Sequence, residues 1–257
     1  MSMTMVEIEK QLKDLRLSGM LATLESRALQ ASQCNAVLVE ALSWLLQDEM
    51  DHRSSNLRQR RFKASGLTEM KTLTEFDWGF NPKLPKMEIY ELVTAKFIQN
   101  GEHALLIGAP GTGKSHIAKT IAHASIQLFQ KTVYREAHVF FEDMFEAEQT
   151  GKTKKVLKLF SEADLLIIDD LFLRKKMPSD AADYLLDIII NRYSKRKSTV
   201  ITSNRPIEDW GLLLKDNAAS SAILDRLLHH GHLLKFEGKS YRLKEAAKRL
   251  SLIKDEK

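Results

Sequence analysis

Cysteine is almost missing from this 257-residue chain: Cys34 stands alone, which excludes an intramolecular disulfide and a zinc site built from several thiolates. That usage fits a reducing compartment, the cytosol by default. No run reaches the roughly 18 apolar residues of a membrane span, and the opening MSMTMVEIEKQLKDL alternates charge with apolar residues where a signal peptide keeps an uncharged core. No membrane partner is expected. Aromatic residues make up 7% of the chain, too sparse for a base-stacking platform, and no helix-turn-helix recognition helix stands out. A guanine-binding N-K-x-D motif, internal repeats and low-complexity tracts are also missing. What remains is a globular composition, 44% hydrophobic and 28% charged, with a net charge of +5 and a pI near 9.1 that favours a polyanionic partner.

The chain is long enough for one α/β core and a smaller appended element. From Val6 to about Lys63 the apolar residues recur only at helical spacing, as in Leu17, Leu21, Leu24 and Ala28, with a break at Ser18-Gly19. We expect a helical N-terminal domain over residues 1–66 for DNA binding or oligomerisation. Residues 67–86 carry prolines and glycines but little periodicity and read as a linker. Beyond them, apolar β-rich runs at 104–107, 132–135, 165–168, 199–202 and 233–236 alternate with helical stretches. This pattern predicts an α/β domain over 87–257, with a five-stranded parallel sheet covered on both faces.

The segment Gly108-Ala109-Pro110-Gly111-Thr112-Gly113-Lys114-Ser115 satisfies G-x-x-x-x-G-K-[ST] in full, after an apolar strand and at the start of a helix, with His116 following. Glycines allow the backbone to turn its N–H groups inward around a phosphate, and the helix N-terminus adds partial positive charge. The pattern implies ATP, with Lys114 at the β- and γ-phosphates and the Ser115 hydroxyl on Mg²⁺. In ADLLIIDD four apolar residues bring Asp169 to the carboxyl end of a buried strand, where it would hold Mg²⁺ mostly through water. Asp170 would orient or deprotonate the attacking water. Asn204, in STVITSNRP, either holds that water or forms a turn before the proline; spacing leaves both open.

GAPGTGKS, LLIIDD, TSN, ILDRLLHHG and GKSYRLK, in that order after a helical segment ending in FDWGFNP, resemble the IstB family of transposition helper ATPases. That family is close to the DnaC-type helicase loaders in the initiator branch of the AAA+ proteins, and the resemblance covers nearly the whole chain. It implies a P-loop AAA+ fold. It also implies a sensor-1 role for Asn204, an arginine-finger role for Arg226 acting in a neighbouring subunit, and a sensor-2 role for Arg242. For Arg226 the plainer alternative is an arginine paired with Asp225. Only about twenty residues follow Phe236, so the lid of such proteins is expected to be reduced or absent.

Arg53, Arg58, Arg60, Arg61 and Lys63 form a basic run without an acid, suited to displacing counterions from a duplex whatever its sequence. Lys152, Lys154 and Lys155 form a second basic cluster, and Arg174, Lys175 and Lys176 a third. His229, His230 and His232 lack a fourth ligand at sensible spacing and read as a packed turn. The expectation is an ATPase that forms a homo-oligomer on duplex DNA and engages a transposase. Its rivals are a helicase loader, a small-molecule kinase, and a nucleotide-binding scaffold without turnover.

Overall fold

The computed structural model describes residues 4–173 and 177–255, with side chains as far as residue 249. The chain divides into two compact units, Met1–Arg60 and Arg61–Lys257. In the first, α1 (Met5–Asp14) starts from a capping box in which Thr4 and Glu7 satisfy each other's backbone N–H groups. α2 (Ser18–Cys34) crosses α3 (Leu38–Ser65) at Gly19, where an added Cβ would lie 2.7 Å from the Glu49 Cα. Buried Glu49 accepts the Gly19 and Met20 N–H groups at 2.6 and 3.2 Å. A carboxylate thereby satisfies donors that a helix start leaves open. The helix break expected at Ser18-Gly19 falls just before it, at 15–17, where Arg16 is left-handed with φ 58°, and Glu49 is the polar centre of the crossing that follows.

In the second unit α4 (Lys86–Val93) and α5 (Lys96–Asn100) precede β1 (His103–Gly108), and α6 (Lys114–Gln127) follows it. Next come β2 (Thr132–Glu136), α7 (Ala137–Gln149), α8 (Thr153–Glu162), β3 (Leu165–Leu171), α9 (Ala181–Ser194) and β4 (Ser198–Ser203). α10 (Trp210–Leu214), α11 (Asn217–His229), β5 (Gly231–Phe236) and α12 (Tyr241–Asp255) complete the order. All strand pairs are parallel, in the order β2-β3-β4-β1-β5. Each expected strand is present, lengthened at one end or both. One core lies under α7, α9 and α11, and a second under α4 and α6, so the central strands are buried on both faces. A single helix, α12, follows β5 among the described residues. Among the described residues no helix is long and apolar enough to cross a membrane.

Fully buried Arg192 on α9 is solvated by protein carbonyls: its guanidinium donates to Phe160 O at 2.5 Å, to Ala163 O at 2.9 Å and to Ser198 O. Beside it His103 is 1% exposed and accepts the Thr199 N–H on Nδ1 at 3.1 Å. Burial first, then the charge of Arg192, pulls its pKa down to about 4. The folded chain therefore takes up this proton later than the unfolded chain, and the stability His103 contributes above pH 6.5 is lost as pH falls from 6.5 towards 4. At pH 5 the loss from this residue is about 2 kcal/mol. Denaturant titrations at pH 7.5 and pH 5 should show His103→Asn losing about that much less than the unaltered chain; identical losses would refute the assignment.

Candidate nucleotide site

Three strands end at one place because β1 lies between β4 and β5 while β3 flanks β4. At that carboxyl edge the loop 108–115 turns into α6, the position where open parallel sheets bind ligands. Gly113 has φ 106°, and an added Cβ would sit 2.6 Å from the Phe76 ring. Gly111 has φ 77°, and its Cβ would meet Ser240 Oγ at 2.1 Å. No other residue fits either position without strain.

Lys114 is 4% exposed, and its ammonium donates to Gly108 O and Ala109 O at 2.8 Å and to Asn204 Oδ1 at 2.6 Å. Asn204 Nδ2 in turn reaches Asp170 Oδ1 at 3.4 Å. The ends of β1, β3 and β4 thus meet in one polar line, Lys114 to Asn204 to Asp170. Burial pulls the Lys114 pKa down to about 8 against the opposing charges of Asp170 and Asp169, and Arg242 adds to the fall. Asp170 moves the other way: burial, then Asp169 alongside, raises its pKa. A carboxylate so raised is a better proton acceptor.

Period-2 alternation would send Asp169 and Asp170 to opposite faces of β3. A register shift between Ile168 and Leu171 and a left-handed Asp170, φ 55°, carry the second carboxylate to the phosphate loop. Such a conformation is costly for a non-glycine residue and persists where its surroundings impose it. Here the Asp170 N–H donates to Thr202 Oγ1 at 2.8 Å, and the Thr202 hydroxyl donates to Asp169 Oδ1 at 2.5 Å. The Tyr134 hydroxyl takes the other Asp169 oxygen at 2.5 Å, and burial with that carboxylate raises the Tyr134 pKa. Asp170 therefore lines the phosphate cavity, about 240 Å³, as well as a neighbouring one of about 390 Å³, whereas Asp169 lines only the second, with Phe141, Phe172 and Met177. Tyr134 and Thr202 were not singled out in the sequence; the TSN motif contains one, and nothing marks the other.

The remaining expected residues are dispersed. Ser115 lines the cavity with its hydroxyl uncommitted among the described residues, whereas Thr112 donates to Ala109 O at 2.8 Å and exposed Ala109 and Pro110 cover the loop. His116 donates from Nε2 to Thr72 O at 2.9 Å and packs edge-on against Phe76. The segment 67–86, expected to be a linker, belongs to the second unit and supplies Phe76, Asp77, Phe80 and Asn81 to the cavity wall. Arg242 lines the cavity too. Arg226 does not; its Nη1 donates to Ala222 O at 2.7 Å on its own helix, and no pairing with Asp225 is present. His229 contacts the Tyr193 hydroxyl, and His232 pairs with Glu102.

Of the basic residues, Arg53 is paired with Glu49 at 2.6 Å, and Arg60 lies roughly two turns along the same face of α3. Arg58 lies between them, and Lys63 is exposed further along. Arg61 is half-buried, its Nη1 enclosed without a hydrogen-bond partner. Lys152, Lys154 and Lys155 are exposed at the start of α8, and Arg174, Lys175 and Lys176 lie outside the described residues. The Ser115 hydroxyl and the Asp170 carboxylate are hard oxygen donors on the phosphate cavity and suit Mg²⁺, whereas Asp169, with both oxygens bonded to Tyr134 and Thr202, would reach a metal there only through water.

A parallel sheet of this order, with a phosphate loop after β1, acidic residues ending β3 and a polar residue after β4, defines an AAA+ P-loop domain. The DnaC helicase loader shares it: its crystal structure superposes with a TM-score of 0.50 at 22% identity, over 59% of this chain and 87% of that one. The profile of the IstB-like ATP binding proteins matches residues 10–249, and the chain belongs to that family. It is 35% identical to the ATP-binding protein of insertion sequence IS5376 from Geobacillus stearothermophilus, over 90% of this chain and 91% of that protein. With the corresponding protein of insertion sequence IS21 from Pseudomonas aeruginosa it shares 31% identity over 98% and 94%.

Proposed function

We propose that this chain is an Mg²⁺-dependent ATPase that assembles as a homo-oligomer on duplex DNA and serves a transposase. The observation that carries the reading is the line from Lys114 through Asn204 to Asp170, which gathers an ammonium, an amide and a carboxylate at one strand edge. Lys114 exchanges its carbonyl partners for β- and γ-phosphate oxygens, and the N–H groups of residues 108–115 surround the phosphates. Ser115 and, through water, Asp169 would hold Mg²⁺, which would supply charge neutralisation at the phosphates. Asn204 orients the attacking water, and Asp170 takes its proton. Arg242 meets the γ-phosphate from within the chain.

Arg226 stands apart from this cavity, as a finger destined for a neighbour's site must. The trans arrangement makes a lone subunit slow. Arg53, Arg58, Arg60, Arg61 and Lys63, with Lys152, Lys154 and Lys155, contact phosphates without reading bases. The names of the insertion-sequence relatives support the transposition context. ATP hydrolysis per subunit is expected to rise with protein concentration and again on adding duplex DNA of arbitrary sequence; a rate flat in both would sink the reading. The likeness to a helicase loader favours a second reading, in which the partner is a replicative helicase. Affinity measured for single and double strands across salt concentrations separates them, since a loader prefers the single strand.

A further inference from the structure

The helix that carries Arg242 is held from two sides, and only one side is the phosphate loop. There, the Tyr241 N–H donates to Gly111 O at 2.9 Å. On the other side, the segment read as a linker grips the turn between β5 and α12. Asn81, 6% exposed, makes a reciprocal pair with Lys239: Nδ2 donates to Lys239 O at 3.0 Å, and Oδ1 accepts the Lys239 N–H at 2.9 Å. These partners are 158 residues apart in sequence. The fit leaves no slack, since a Cβ on Gly238 would come within 2.2 Å of Asn81 Oδ1. Further along, Asp77 pairs with Lys244 at 2.9 Å, and that ammonium lies 4.6 Å from the Phe80 ring centre. The Phe80 ring meets Tyr241 edge-on at 5.4 Å.

We infer that Asn81 is a positioning residue: through Lys239 it sets the start of α12, and so determines whether Arg242 reaches the γ-phosphate. The clasp from the 77–81 segment supplies rigidity at the start of α12. A side-chain amide suits the task because it satisfies one backbone N–H and one C=O together, leaving no buried polar group unpaired. The inference rests on the proposed contact between Arg242 and the γ-phosphate, and it extends that contact to a residue outside the helix.

The readout is the ratio of ATP to ADP affinity, measured with Mg²⁺ on the full chain. Only a group acting at the γ-phosphate moves this ratio; a general loosening of the pocket weakens both nucleotides alike. Arg242→Ala is expected to lower the preference for ATP about tenfold, the worth of one hydrogen bond to a charged group. Asn81→Ala should lower it by a similar factor, and adding Asn81→Ala to Arg242→Ala should change it no further, because both act through one contact. Should Asn81→Ala fail to fold, Asp77→Asn at the exposed end of the clasp takes its place. Its expected effect is about twofold, as suits an exposed ion pair, and again absent on the Arg242→Ala background. If Arg242→Ala shifts the ratio while the clasp variants do not, or if the two effects multiply, Asn81 does not position Arg242. If Arg242→Ala itself leaves the ratio alone, the sensor reading falls and the inference with it.

Discussion

Lys114→Ala is expected to weaken ATP binding by at least about a hundredfold, the loss of two or more charge-assisted hydrogen bonds at 1.5–3 kcal/mol each. The ammonium is already desolvated and already aimed, with three oxygen acceptors within 2.8 Å, so phosphate oxygens replace carbonyl and amide oxygens without a fresh burial of charge. Its lowered pKa adds a test that leaves the side chain in place. Because the free chain holds this proton only up to a pH of about 8, ATP affinity should fall as pH rises through 8. Titration calorimetry from pH 7 to 9.5 on the unaltered chain and on Lys114→Ala reads both effects. A variant that binds ATP and assembles on duplexes like its parent would remove the basis for the proposed function.

Arg226→Ala should leave ATP binding intact and cut hydrolysis in the assembled state about a thousandfold, the lower end of what a finger contributes. Distance from the home cavity is what gives this variant a second, sharper consequence. A Lys114→Ala subunit has a dead site and a working finger, whereas an Arg226→Ala subunit has the reverse. Mixing the two should therefore restore a fraction of the hydrolysis that neither shows alone. If Arg226 only braces its own helix through Ala222, the mixture stays inactive and the rate ceases to depend on concentration.

Much of this site could be read from residue order. The phosphate loop announces itself because its function needs positive φ at Gly111 and Gly113 and a cation at a set step beyond, all within one turn of chain. The five strands were legible for a similar reason: a strand covered on both faces must be apolar at nearly every position. By contrast, the role of residues 67–86 was hidden. Prolines and glycines suppress periodicity, and no local rule says that Phe76 will rest on Gly113 or that Asn81 will meet Lys239.

Residue order alone pointed to which chemistry is available, a phosphate-binding loop, two adjacent carboxylates and a strand-end amide, while the roles expected of Arg226 and Arg242 came only from the family resemblance. The first three were legible because each depends on backbone conformation over a few neighbouring residues. Which of them converge was decided by the folded arrangement. Asp170 rather than Asp169 lines the phosphate cavity where β3 shifts register and Asp170 turns left-handed, and Asn204 reaches Lys114 across 90 residues because the sheet lays β4 beside β1. Contacts of that range follow from strand order and packing, which no short stretch of chain encodes.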